Sequence, residues 1–247
     1  MNWHLIVEPD GRSGAQNMAI DEALLLEADR AGTAFLRLYR FSPACLSFGR
    51  NEPALERFDR PAIERLGLDV VRRPTGGRAV WHDHELTYAV AAPVAAFGSL
   101  RDSYRSIHAR LAIALHQLGI PATLAPDRNG RVALGPGACF SAPVGGEVVV
   151  AGKKVIGSAQ VRRGTALLQH GSILLNGSQD RIEAISRQPT AISGATTLSG
   201  ILGQPVGFEE VAQAVAAAWD GAFISTVPYY PLPSPTVFSE PDWTWRR

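Results

Sequence analysis

Between residues 35 and 92 the chain packs in five short apolar runs, at 35–41, 45–48, 69–72, 79–82 and 86–92, and this crowding constrains the fold most. Each run is of strand length and is rich in β-branched or aromatic residues. A doubly wound α/β fold needs a helix between successive parallel strands, and most of these breaks are too short to hold one. Further on, 147–150 and 155–158 flank Ala151-Gly152-Lys153-Lys154 as a hairpin, and 166–175 supplies another strand. The expected class is therefore α+β with a mostly antiparallel sheet.

Helical signals are fewer. Over 17–30, Asn17 is the expected cap, Asp21 and Glu22 suit the positive first turn, and Ile20, Ala23, Leu24 and Ala28 form one face. Residues 56–66 read as a weak helix stopped by Gly67. The strongest signal is 100–118, capped by Ser99, stopped by Gly119, with Tyr104, Ile107, Leu111, Leu115 and Leu118 in one stripe. A last helix is expected over 208–223. Beyond it, Pro228, Pro231, Pro233, Pro235 and Pro241 predict an irregular tail. No repeat or low-complexity linker divides the 247 residues, so the expectation is one domain over 1–227 followed by a proline-rich tail, 228–247.

Lys plus Arg total 24 against 23 for Asp plus Glu, which gives no electrostatic case for nucleic acid as the main partner. No apolar run reaches the roughly 18 residues of a membrane span, and Met1-Asn2-Trp3-His4 does not open a signal peptide. Cys45 and Cys139 lie far apart without metal-ligand or redox spacing, so free thiols in a reducing cytoplasm are expected.

Three segments carry candidate chemistry. In Arg72-Arg73-Pro74-Thr75-Gly76-Gly77-Arg78, the glycines expose backbone N–H groups beside three arginines, a combination able to hold a carboxyl, phosphate or thioester oxygen. A plain turn with solvated arginines fits the same pattern. Cys139 lies in Gly135-Pro136-Gly137-Ala138-Cys139-Phe140, a loop setting that makes it a candidate nucleophile, whereas Cys45, between Ala44 and Leu46, reads as a small buried hydrophobe. In Gly152-Lys153-Lys154-Val155-Ile156-Gly157-Ser158, alternation sends one lysine into a pocket and the other to solvent; a lysine-decorated edge is the plainer alternative. Gly157 and Ser158 in mid-strand suggest close approach by a ligand or another backbone. His82, His84 and His170 lack the third ligand of a zinc site, so no metal is expected.

Taken in order, Asn17 to Glu22, Leu46-Ser47-Phe48-Gly49-Arg50, Arg72 to Tyr88, Ala138-Cys139-Phe140, Gly152 to Gln160 and Leu168-Gln169-His170-Gly171-Ser172 resemble the lipoate–biotin protein ligase superfamily, in its cysteine-dependent octanoyltransferase branch. The resemblance implies a larger and a smaller β-sheet flanked by helices, with a tunnel for a linear acyl chain beside the Gly76–Gly77 loop. It implies Cys139 as the acyl-accepting nucleophile and Lys154 as the group on the acyl carbonyl. It assigns substrate contacts to Arg72, Thr75, Gly76, Gly77, Arg78, His82, Gly157, Ser158, Ala159 and His170. It implies no cofactor. The implied donor is octanoyl acyl carrier protein, and the implied acceptor is a lysine of the glycine-cleavage H protein or of an E2 lipoyl domain. Ligases that use ATP generally have no cysteine at 139, usually carry a third glycine where Arg78 stands, and commonly have an accessory domain. The competing readings are an ATP-dependent lipoate ligase, with Lys154 on an acyl-adenylate, and a non-catalytic module gripping lipoyl or acylated domains.

Overall fold

The computed structural model describes residues 3–126, 145–187, 195–219, 223–227 and 237–246. Strand β1 (Trp3–Arg12) is followed by helix α1 (Gly14–Ala31) and β2 (Ala34–Phe41), a parallel pair with a helical crossover. Next come β3 (Cys45–Phe48), α2 (Ala54–Arg57), α3 (Arg60–Arg65), β4 (Asp69–Arg72), β5 (Val80–His82), β6 (Glu85–Pro93) and α4 (Leu100–Gln117). Short strands β7 (Thr123–Leu124), β8 (Val148–Val150) and β9 (Lys153–Lys154) precede the long hairpin of β10 (Ile156–Arg163) and β11 (Ala166–Leu174). The chain continues through α5 (Arg181–Ala184), α6 (Leu198–Leu202), α7 (Phe208–Ala217), β12 (Phe223–Val227) and α8 (Pro241–Thr244).

A six-stranded sheet has the order β10-β11-β6-β2-β1-β12, and two three-stranded sheets have the orders β4-β3-β5 and β7-β8-β9. The larger-plus-smaller sheet expectation holds. Pairing is antiparallel from β10 across to β2, then parallel where β1 meets β2 and β12.

Period-two alternation places the core on both faces of the large sheet. From β2, Ala34, Leu36 and Leu38 join Ile107, Leu111 and Leu115 of α4 and Val211 and Val215 of α7. Phe35, Tyr39 and Phe41 point the other way, into a cluster with Met18, Ile20, Leu24 and Ala28 of α1. The small sheet carries its own core, in which Leu46 and Phe48 meet Phe58, Ile63 and Trp81.

Several expectations need correction. Helix α1 starts at Gly14 because Ser13 and Gln16 form a reciprocal capping box. Asn17 is instead fully buried, its amide nitrogen donating to the carbonyls of Arg12 and Arg40 at 3.0 and 3.1 Å. The segment expected as one helix over 56–66 splits at Phe58-Asp59, where Asp59 caps a new start containing Pro61. The last helix ends at Ala217, and Phe223 opens an edge strand instead. The proline-rich tail contains regular turns, a 3₁₀ turn at Val237–Ser239 and α8, whose Pro241 occupies the helix start that tolerates proline. By contrast, α4 runs Leu100–Gln117 behind its Ser99 cap, as its periodicity predicts.

Candidate functional site

The turn between β8 and β9 is Ala151-Gly152, both at positive φ, the geometry of a tight two-residue hairpin. Lys153 and Lys154 thus lie in the returning strand, where alternation separates them: Lys153 is exposed and Lys154 is buried. Lys154 Nζ donates to Glu147 Oε1 at 2.7 Å, with both side chains 3% exposed. Cys139 lies outside the described residues.

A small cavity of about 30 Å³ lies between the large sheet and the small one. Its wall includes His82, Gly157, Ser158, Ala159 and His170 of the predicted site residues. Thr75 stands directly behind that wall, its Oγ1 2.7 Å from His170 Nε2. Gly76, Gly77 and Arg78 form the adjoining loop, where the carbonyls of Gly76 and Arg78 accept from Arg73 Nη2 at 2.9 and 2.7 Å.

The arginine of this motif that reaches the cavity is Arg73, not Arg72. Arg72 is fully buried and donates to six carbonyls, those of Gly49, Arg50, Glu52, Trp243, Thr244 and Arg246. Its guanidinium ties the 49–52 loop to the C-terminal segment. In an extended strand the two neighbours must point to opposite faces, and sequence does not say which faces inward.

Two hydroxyl–imidazole–carboxylate relays line the cavity. In one, His170 Nδ1 is 2.9 Å from Asp21 Oδ2, and the same oxygen accepts from Tyr39 OH at 2.8 Å. Arg37 donates to the other Asp21 oxygen at 2.8 Å and also pairs with Glu8. Burial alone would raise the Asp21 carboxyl, but the His170 hydrogen bond and the Arg37 charge outweigh it and hold the group below its usual range. Burial lowers His170 against the pull of Asp21, which favours the neutral ring. With Nδ1 donating to Asp21, neutral Nε2 accepts the Thr75 hydroxyl proton. In the other relay, His82 Nδ1 meets Glu85 Oε1 and His82 Nε2 meets Ser47 Oγ, both at 2.7 Å.

His108, on α4, orders a third chain that the sequence does not reveal. Burial pushes its imidazole down to about 4, so the ring is neutral. Its Nδ1 donates to the Gly146 carbonyl at 2.7 Å, which leaves Nε2 to accept from Ser158 Oγ at 2.8 Å. Ser158 must then accept from Tyr88 OH at 2.6 Å, and Tyr88 from Gln169 Nε2 at 3.0 Å. Gly171 makes this crossing possible: a Cβ there would lie 2.4 Å from the Gly157 carbonyl and 2.6 Å from Ser158 Oγ. The close approach inferred from Gly157 and Ser158 is therefore by the neighbouring strand.

Every polar side chain in the cavity wall is thus engaged within the protein: Ser47 and Ser172 with His82, Thr87 with Glu85, Ser158 with His108, His170 with Asp21, and Arg73 with Ser47 and the loop carbonyls. The remaining inward surface comes from Met18, Phe41, Val80 and Ala159. Polar in composition, the wall is apolar in presentation.

A family model described as the lipoyl protein ligase A/B catalytic domain matches residues 13–220. The chain belongs to this family, in its octanoyltransferase branch. The octanoyltransferase LipM of Moorella thermoacetica is 41% identical over 201 residues, 79% of this chain and 73% of that protein. The octanoyltransferase LipM of Kyrpidia tusciae is 40% identical over 232 residues, 87% of this chain and 84% of that protein. Among solved structures, a lipoate-protein ligase A bound with ATP superposes with TM-score 0.74 at 23% identity, covering 92% of this chain and 90% of its own. The bipartite lipoate protein ligase of Thermoplasma acidophilum, solved in a study of that ligase and its E2 lipoyl domain, gives 0.72 at 21%, covering 92% and 88%. At those identities the solved structures speak for the fold, and the branch rests on the sequence relatives.

Among the described residues, no group of His, Cys, Asp and Glu could hold a metal ion. No described helix is long and apolar enough to cross a membrane. The setting of Cys45 raises its thiol well above the usual range, first through burial and then through the charge of Asp69.

Proposed function

We propose that this enzyme moves an octanoyl group from acyl carrier protein to a lysine of a lipoyl-domain protein through a thioester on Cys139. It is an octanoyltransferase of lipoate biosynthesis, like the relatives it matches at 40 and 41% identity. The apolar presentation of the cavity wall is the observation that carries the substrate class. A hydrocarbon chain asks for no hydrogen bonds, and here each polar wall group already has its own. At about 30 Å³ the cavity admits such a chain only as lining side chains move aside. Met18, unbranched and in contact with the cavity, is suited to that.

In this reading the Cys139 thiolate attacks the donor thioester, the carrier's thiol leaves, and the acceptor amine then attacks the acyl-enzyme to give an amide and free Cys139. Thioester exchange is nearly balanced and amide formation runs downhill, so ATP is not consumed. Lys154 supplies positive charge to the thiolate and to the developing oxyanion, with Glu147 holding its ammonium in place. Thr75, Gly76, Gly77 and Arg78 shape the loop beside the acyl chain, and His82, Gly157, Ser158, Ala159 and His170 its wall. The acceptors are the glycine-cleavage H protein or E2 lipoyl domains, reached in the cytoplasm. Residues 1–227 act as the catalytic domain, followed by the 228–247 tail, whose residues 243–246 meet it through the carbonyls that Arg72 engages.

Mass spectrometry after mixing with octanoyl carrier protein, without ATP, tests the scheme. One octanoyl group is expected on wild type and none on Cys139→Ala. An adduct on Cys45, or product that forms only with ATP and free acid, overturns it.

A further inference from the structure

The cavity wall crosses four strands of the large sheet. Gly157 on β10 lies opposite Ser172 on β11, Ser172 opposite Thr87 on β6, and Thr87 opposite Tyr39 on β2. All four line the cavity. The β10 end is the reacting end of the proposed acyl site. Lys154 stands three residues before Gly157 in the chain, and a Cβ at Gly77 would lie 3.9 Å from Ala159 Cβ. Phe41, two residues beyond Tyr39 on the same face of β2, therefore belongs to the far end.

A second, larger space begins there. A cleft of about 430 Å³ is lined by Pro9 and Asp10 of β1, the strand beyond β2, and by Leu175, Val206 and Phe208. Among the described residues, only Phe41 and His82 border both spaces. Their rings stack with centroids 4.1 Å apart and planes 23° from parallel, so the partition is one pair of rings. The two are held unequally. His82 is fixed by Glu85 and Ser47, each at 2.7 Å, and has Ser172 Oγ within 3.2 Å. Phe41 has no polar anchor; its other ring neighbour is Tyr39, with centroids 5.8 Å apart.

We propose that the stacked Phe41–His82 pair is the stop that sets acyl-chain length, with Phe41 as the specificity-determining side chain. This rests on the transferase reading above and names the limit of its substrate. An octanoyl chain ends against the pair, and a chain four carbons longer must push through it. Behind the pair, Leu175, Val206 and Phe208 belong to one apolar cluster, so the cleft can receive a hydrocarbon tail once the ring is removed. His82 keeps its place without Phe41, because its hydrogen bonds do not involve that ring.

The test measures kcat/KM with octanoyl and dodecanoyl carrier protein and takes their ratio within each variant, which cancels any loss of folded enzyme. Wild type is expected to favour octanoyl by about tenfold or more, and Phe41→Ala to shift the ratio toward dodecanoyl by about tenfold or more. Phe41→Leu, a smaller reduction, carries the same test should Phe41→Ala fail to fold, and its ratio is expected to move the same way. An unchanged ratio in the variants, or wild type that takes dodecanoyl as readily as octanoyl, overturns the stop. Calorimetric binding of free octanoate and dodecanoate separates the stop from the chemistry. Dodecanoate bound by Phe41→Ala and not by wild type supports the stop even if neither protein transfers an acyl group, which would sink the transferase reading alone. Octanoyl transfer through Cys139 in wild type, with the same chain-length ratio in Phe41→Ala, sinks the stop alone.

Discussion

The two faces of the six-stranded sheet are built on different principles. Toward α4 and α7 the sheet presents Leu36, Leu38, Leu86 and Val90 to Ile107, Leu111, Leu115 and Val211, an apolar contact crossed by the chain from His108 through Ser158 and Tyr88 to Gln169. Toward α1 it presents Arg37, Tyr39 and His170, tied into Glu8, Asn17 and Asp21. Burial of aliphatic side chains contributes free energy but leaves nothing to recognise a ligand. A buried ionic network adds little net stability over an apolar equivalent, yet it fixes the positions of its members. The cavity opens on the second face. One side of the sheet holds the protein together, and the other holds groups in place.

Asp21→Ala should produce the largest effect on that division. It leaves Arg37 buried with one carboxylate fewer and frees His170, at a cost on the order of 4 kcal/mol. Transfer activity of the folded fraction should fall as well; retained activity breaks the comparison. Leu111→Ala, on the apolar face, should cost about 3 kcal/mol by leaving a cavity, while folded enzyme keeps its KM for donor and acceptor. Denaturant titration beside steady-state assays checks both, and a raised KM in Leu111→Ala counts against the separation of roles.

His108 gives a smaller effect with a definite sign. Its folded value of about 4 lies below the ordinary 6.5, so the unfolded chain takes up a proton first as pH falls. Stability from this group is complete above about pH 6.5, declines below it, and is fully lost near pH 4. By pH 5 the loss is about 2 kcal/mol. In His108→Gln this part of the acid slope should vanish; an unchanged slope between pH 7 and 5 contradicts a neutral, buried imidazole. Thr75→Val should be mildest, about 1 kcal/mol for the hydroxyl lost to His170, measured by thermal denaturation against wild type.

Local signals were legible where the chain's own spacing decides the outcome. The Ser99 cap and the Ile107-Leu111-Leu115 stripe specify α4 without reference to the rest of the molecule. The lysine alternation also survives folding, since Lys153 faces water and Lys154 faces the interior. Strand β1 escapes the sequence reading because Pro9 and Gly11 punctuate it, and its parallel partners lie elsewhere in the chain. The site's polar logic escapes for the same reason: Asp21 meets His170 across 149 residues and His108 meets Ser158 across 50. Nothing in the flanking residues announces these meetings. Resemblance brought forward His170 and Ser158 from their motifs, but it did not reach His108, which sits in an ordinary amphipathic helix.

The Arg72 clamp has a practical consequence for handling the protein. Three of its six acceptors belong to residues 243–246, so cutting the chain before Trp243 would leave a buried guanidinium half satisfied. The other three sit at residues 49–52, beside the loop that carries Gly76 and Gly77. A protease nick near the C-terminal end, or a tag that pulls on it, would therefore be felt at the 49–52 loop. Purification and fusion schemes for this enzyme are safer when they leave that end untouched.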